Sequence, residues 1–144
     1  MKELVGVESL YTEAAQFAHT LKRDNAALVV ALEGDLGAGK TTFVQGVARA
    51  LGIKESVTSP TFVIQKTYPL QGSDFKQLVH IDAYRLKGAH ELEVLEWKDA
   101  VADPSNLIFI EWPERVAGAL PTNTRALHLE FIDEQTRGIN YATV

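Results

Sequence analysis

Apolar and polar positions follow a helical rhythm in some stretches of this chain and a strand rhythm in others, and the changes between them mark its elements. Leu10, Ala14, Phe17, Ala18 and Leu21 recur at helical spacing, which predicts an amphipathic helix over residues 9–23, capped by Ser9 or Thr12 and ended by Asp24-Asn25. A nearly unbroken apolar run over 26–33 then reads as a strand covered on both faces, as in a parallel sheet. Gly34 to Gly39 cannot continue it. From Lys40 the spacing of Phe43, Val44, Val47, Ala48 and Leu51 is helical again, and Gly52 stands where a C-terminal glycine belongs.

Residues 62–68 and 77–82, separated by Gln71-Gly72-Ser73-Asp74, predict a β-hairpin whose second arm is central. Leu92 and Leu95 place a helix over 90–101, which Pro104 stops. Leu107-Ile108-Phe109-Ile110 is a second buried strand, ending at Glu111, and a short helix is expected from Pro113 to Leu120. Two strands, 126–132 and 138–144, complete an α/β chain of one domain, residues 1–144.

Composition narrows the chemistry. The 144 residues include no cysteine, which removes disulfides, thiolate metal sites and cysteine nucleophiles and suits a cytoplasmic setting. The four histidines have no ligand-like spacing. No stretch has the length and apolarity of a membrane span, and the first residues lack a signal-peptide pattern, so the expectation is a soluble cytoplasmic protein. A net charge of −5 argues against autonomous nucleic-acid binding, which needs a basic field. Residues 91–114 hold seven acids against one base, Lys98, either a solvated face or a docking surface for a basic partner.

Gly34-Asp35-Leu36-Gly37-Ala38-Gly39-Lys40-Thr41 matches G-x-x-x-x-G-K-[ST] between a predicted strand and a predicted helix, the context of a phosphate-binding loop. The glycines let backbone N–H groups turn inward around phosphate oxygens, and the helix start points its positive end at them. Lys40 would bridge the β- and γ-phosphates, Thr41 would offer its hydroxyl to Mg²⁺, and Thr42 could reach the α-phosphate. Asp82 and Glu111 each close a predicted strand, where a parallel sheet places its ligand. Either acid could hold Mg²⁺, and local pattern does not rank them.

Four segments together resemble the bacterial TsaE (YjeE-type) family: the loop through Thr42, Ser59-Pro60-Thr61-Phe62, His80-Ile81-Asp82-Ala83-Tyr84-Arg85-Leu86, and Ile110-Glu111-Trp112-Pro113-Glu114-Arg115. The resemblance implies a P-loop NTPase-like, mainly parallel sheet flanked by helices, with antiparallel additions. It implies slow, Mg²⁺-dependent ATP hydrolysis in the service of tRNA threonylcarbamoylation, with TsaD and TsaB-like proteins as partners and tRNA reached through them. Carried over by position, Gly37, Ala38, Gly39, Lys40, Thr41 and Thr42 hold the nucleotide, Thr41 and Glu111 the metal, and Asp82 positions water. Lys40, Asp82 and Glu111 are thus the expected catalytic set, with Trp112 beside the site and Thr12 and Arg137 as further nucleotide contacts. Residues 59–62 match a switch-like loop. Two other readings fit the loop motif, a small-molecule kinase and a non-catalytic nucleotide-dependent adaptor; the six arginines are dispersed and form no lid segment.

Overall fold

The computed structural model describes residues 1–60 and 64–143. Thr61 and Phe62 of the expected switch-like loop, where the first hairpin arm is expected to begin, and Val144 lie outside them. Among the described residues seven strands form one sheet: β1 (Lys2–Val5), β2 (Leu28–Glu33), β3 (Gln65–Pro69), β4 (Gln77–Asp82), β5 (Asn106–Glu111), β6 (Arg125–Asp133) and β7 (Thr136–Thr143), in the order β1-β7-β6-β2-β5-β4-β3. The four central strands, β6, β2, β5 and β4, run parallel, and β3, β7 and β1 add antiparallel edges. This is the expected α/β class, mainly parallel with antiparallel additions.

The apolar runs of β2 and β5 are covered on both faces, as their sequence requires. On one face Val30, Leu32 and Phe109 join a core with Phe17 of α1 (Val7–His19) and Phe43 and Val47 of α2 (Lys40–Ala50). On the other, Ala31, Ile108 and Ile110 pack with Leu92, Trp97 and Val116. The two helices of the first face approach closely at Gly46, where a Cβ would stand 2.7 Å from that of Ala14.

Three local outcomes differ from the sequence expectation. β1 is a strand because β7 pairs with it; with one buried residue in four it carries no pattern of its own. Gly6, at φ 83°, then turns the chain straight into α1, which starts at Val7 rather than Ser9. The helix expected over 90–101 is two pieces, a 3₁₀ segment Ala89–Leu95 and α3 (Trp97–Ala102), broken at Glu96 with φ 55°. The three-residue spacing of Leu92 and Leu95 serves a 3₁₀ turn as well as an α turn. Trp97 anchors the start of α3 by donating its indole N–H to the carbonyl of Ala119 at 2.9 Å. Residues Pro113–Ala119 are likewise 3₁₀, interrupted at Val116.

Candidate nucleotide-phosphate site

β2 ends at Glu33, and the glycine loop turns from it into α2. Gly34 (φ 147°), Gly37 (φ 81°) and Gly39 (φ 102°) all take backbone conformations that side chains resist. At Gly34 the demand is also spatial, since a Cβ there would lie 2.4 Å from the carbonyl oxygen of Leu129. The first turn of α2 holds no acidic residue, so its positive end is left for an external anion.

Lys40 opens that helix and is 5% exposed. Its ammonium donates to the Gly34 carbonyl and lies 3.7 Å over the Trp112 ring. Burial pulls its pKa below the ordinary lysine value, against the carboxylates of Glu111, Glu114, Asp82 and Asp35, which favour the charged form. Trp112 takes φ 59°, a conformation rare for a bulky residue, and its ring meets that of Tyr84 at 5.2 Å.

Parallel register settles the relation of the two acids. Asp82 of β4 is the partner of Glu111 of β5, so both carboxylates emerge side by side at the carboxyl ends of adjacent strands. They are 4% and 3% exposed. Glu111 Oε2 accepts from the Thr41 hydroxyl at 3.0 Å and lies 2.5 Å from Nε2 of His80, which is fully buried. Asp82 Oδ1 accepts the backbone N–H of Tyr84 at 2.9 Å.

Lys40, Thr41, Asp82, Glu111 and Trp112 line one wall of a cleft of about 560 Å³, the scale of a small-molecule site, and His80 stands behind them. Ala38, Gly39, Thr42 and Ser59 belong to the same lining, and a second wall, Gly6, Val7, Leu10, Glu134, Gln135 and Arg137, comes from the start of α1 and the β6–β7 end and meets the loop at Gly39, where a Cβ would stand 3.1 Å from Leu10 Cδ2. Arg137 Nε donates to the Gly37 carbonyl at 3.0 Å, tying β7 to the loop. Thr12 is not brought in. Its hydroxyl donates to the Glu8 carbonyl at 2.9 Å, and it lines a separate hollow with Lys2 and Glu13; Val7 and Leu10 are the α1 residues that reach the cleft.

Thr41, Asp82 and Glu111 offer hard oxygen donors, the set that suits Mg²⁺ rather than a soft metal. Among the described residues no cluster of three or more acidic, histidine or cysteine side chains could hold an ion by itself.

His80 and the Gly6, Glu134 and Gln135 wall were not foreseen. His80 alternates with Asp82 along β4 and so shares its face, but only the register with β5 puts it on Glu111.

The family model for TsaE, threonylcarbamoyl adenosine biosynthesis protein TsaE, matches residues 7–139. The chain belongs to the TsaE family. Among curated TsaE proteins, it is 47% identical to that of Streptomyces coelicolor over 60% of this chain and 57% of the relative. It is 35% identical to the Haemophilus influenzae protein over 75% and 66%, and 39% identical to that of Treponema pallidum over 79% and 81%. The chain thus spans little more than half of the first of these relatives and about two thirds of the second. The crystal structure of Bacillus subtilis YdiB superposes with TM-score 0.76 at 29% identity, covering 99% of this TsaE-family chain and 84% of that one.

Proposed function

We propose that this chain binds ATP with Mg²⁺, hydrolyses it slowly, and by that turnover serves tRNA threonylcarbamoyladenosine biosynthesis alongside TsaD and TsaB-like proteins. The observation that carries the reading is the convergence of Lys40, Thr41 and Glu111 at the open N-terminus of α2. Loop amides and Lys40 bind the phosphates, Lys40 exchanging the Gly34 carbonyl for phosphate oxygen. Thr41 and Glu111 hold the cation, which when bound neutralises charge building on the transferring phosphoryl group. Asp82 orients the attacking water from beside Glu111.

Slow turnover follows from the arginine supply. Among the described residues lining the cleft, Arg137 is the one arginine, and it is engaged with the carbonyls of Gly37 and Asp133 and with the Phe131 ring. An arginine finger is worth about 10³–10⁵ in rate, so a partner that delivers one would account for activation. The net charge of −5 suits a protein that reaches tRNA through its partners.

The test joins chemistry to pathway. Purified protein should release phosphate from ATP over many turnovers in Mg²⁺. In cells deprived of their own TsaE, this chain should restore threonylcarbamoyladenosine to tRNA, and Lys40→Ala should not. Restoration by Lys40→Ala would overturn a role for hydrolysis, and phosphate transfer to a metabolite faster than to water would make the protein a kinase.

A further inference from the structure

His80 stands where the pattern of β4 calls for an apolar residue. Leu78, two residues earlier on the same face, is fully buried in the core, and the register partner of His80 is the equally buried Phe109. An imidazole at such a position is costly unless both nitrogens are satisfied. Here one is: Nε2 meets Glu111 Oε2 at 2.5 Å, while Nδ1 is buried and, among the described residues, has no hydrogen-bond partner. A leucine would fill the space without an orphaned nitrogen, so packing does not account for the residue. What histidine adds is the single bond to Glu111.

The tautomer follows from the same surroundings. A proton on Nδ1 would be an unsatisfied donor in the core, whereas a proton on Nε2 meets a carboxylate oxygen. His80 therefore donates through Nε2. Glu111 Oε2 then accepts twice, from His80 on β4 and from Thr41 on α2, and the two donors fix the carboxylate between sheet and helix. One donor would tether the carboxylate to a single element; two donors on different elements fix Oε2 relative to both.

We propose that His80 is a positioning residue, whose Nε2–H holds the Glu111 carboxylate in register with the Thr41 hydroxyl so that the pair presents a preformed oxygen site for the cation. The inference rests on the reading of the cleft as a Mg²⁺–nucleotide site. Its physical content is preorganisation: partners that orient a metal ligand are worth about 10–100-fold in metal affinity or activity when removed. His80 is fully buried and does not line the cleft, so its loss should leave phosphate binding by the loop unaltered.

The test measures ADP affinity by calorimetry, in Mg²⁺ and in EDTA, for wild type, His80→Leu and His80→Gln. In wild type Mg²⁺ should tighten ADP binding. His80→Leu should lose about 10-fold or more of that gain, with the EDTA value unchanged. His80→Gln, whose amide can donate to the same oxygen, should recover most of it. Equal weakening of His80→Leu with and without Mg²⁺, or no weakening, would make His80 a space-filling residue and overturn the proposal. Absence of any Mg²⁺ gain in wild type would instead remove the cation reading of the cleft, and the role of His80 with it.

A measurement that leaves His80 in place guards against misfolding of the His80 variants. In long-range ¹H–¹⁵N spectra of histidine-labelled wild type, His80 should appear as the Nε2–H tautomer, with a proton signal that moves in Glu111→Gln. The Nδ1–H tautomer, or a His80 signal indifferent to Glu111→Gln, would refute the assignment.

Discussion

The charged residues of the first wall of the cleft, Lys40, Asp82 and Glu111, are each at most 5% exposed, whereas Val7, Glu134 and Gln135 of the second wall are in solvent, Val7 being 53% exposed. Their origins differ as much as their surroundings. The first wall comes from the parallel centre of the sheet, where β2, β4 and β5 are covered on both faces and register fixes each strand end against the next. The second comes from the antiparallel edge, where β1 and β7 pair beside the start of α1. Burial strengthens electrostatic interactions and lowers the cost of reorganising them, so under the proposed function the chemistry on charge-dense phosphates falls to the first wall. The second can hold the rest of a nucleotide without needing such precision.

If that division is right, the largest effect should come from Lys40→Ala. Removing one preorganised electrostatic group of this kind costs about 10²–10³ in turnover, read as phosphate release at saturating ATP. Thermal unfolding should change little, because the variant also removes a buried charge. Next comes Gly34→Ala, which places a methyl group 2.4 Å from the Leu129 carbonyl oxygen at φ 147°. Neither the loop nor β6 can yield at backbone level without strain, so a loss of about 1–3 kcal/mol in urea unfolding is expected, together with weaker phosphate binding. A Gly34→Ala protein with wild-type stability and affinity would show the buried wall to be more pliant than its packing implies.

The two walls also differed in how far the sequence announced them. The 34–41 motif, the unbroken apolar runs of β2 and β5 and the helical spacing of α2 are local signals, and each element lies where those signals pointed. Register is not local. The pairing of Asp82 with Glu111, and of His80 with Glu111, joins residues that no periodicity relates, so local pattern could name both acids without placing them side by side. On the second wall even existence was hidden. β1 has a single buried position, Leu4, and forms because β7 offers it an edge. That strand also carries the chain into α1 two residues early. Arg137 reaches the loop, while Thr12 turns to its own helix at the Glu8 carbonyl.

Arg137→Ala probes the join between the walls. Its guanidinium donates to Gly37 from a half-buried position and lies 4.6 Å over the Phe131 ring. Losing one hydrogen bond of this kind is worth about 1 kcal/mol, or roughly fivefold in ADP affinity. That loss should be the same in Mg²⁺ and in EDTA, because Arg137 contacts neither Thr41 nor Glu111. A Mg²⁺-dependent effect would mean that the two walls act as one.

The smallest effect tests whether the exposed wall can be loosened alone. Glu13 of α1 is held by Lys2 of β1 at 2.9 Å and by the Tyr141 hydroxyl of β7, so one carboxylate ties three elements together. Burial opposes its ionisation, but the hydrogen bonds from Tyr141 and Lys2, with the Lys2 charge, outweigh that and keep its pKa below the usual carboxylate value. A carboxyl group with a depressed folded-state pKa stabilises the fold above its unfolded pKa and loses that contribution as pH falls through the folded value. Acidification should therefore lower the hydrogen-exchange protection of β1 and β7, relative to the intrinsic rate at each pH, before that of β5. Glu13→Gln should remove the pH dependence at a cost of about 1 kcal/mol near neutrality. Loss of protection in β5 together with β1 would show that the edge and the buried centre open as a single unit, and the contrast between the walls would then be one of exposure without a difference in local stability.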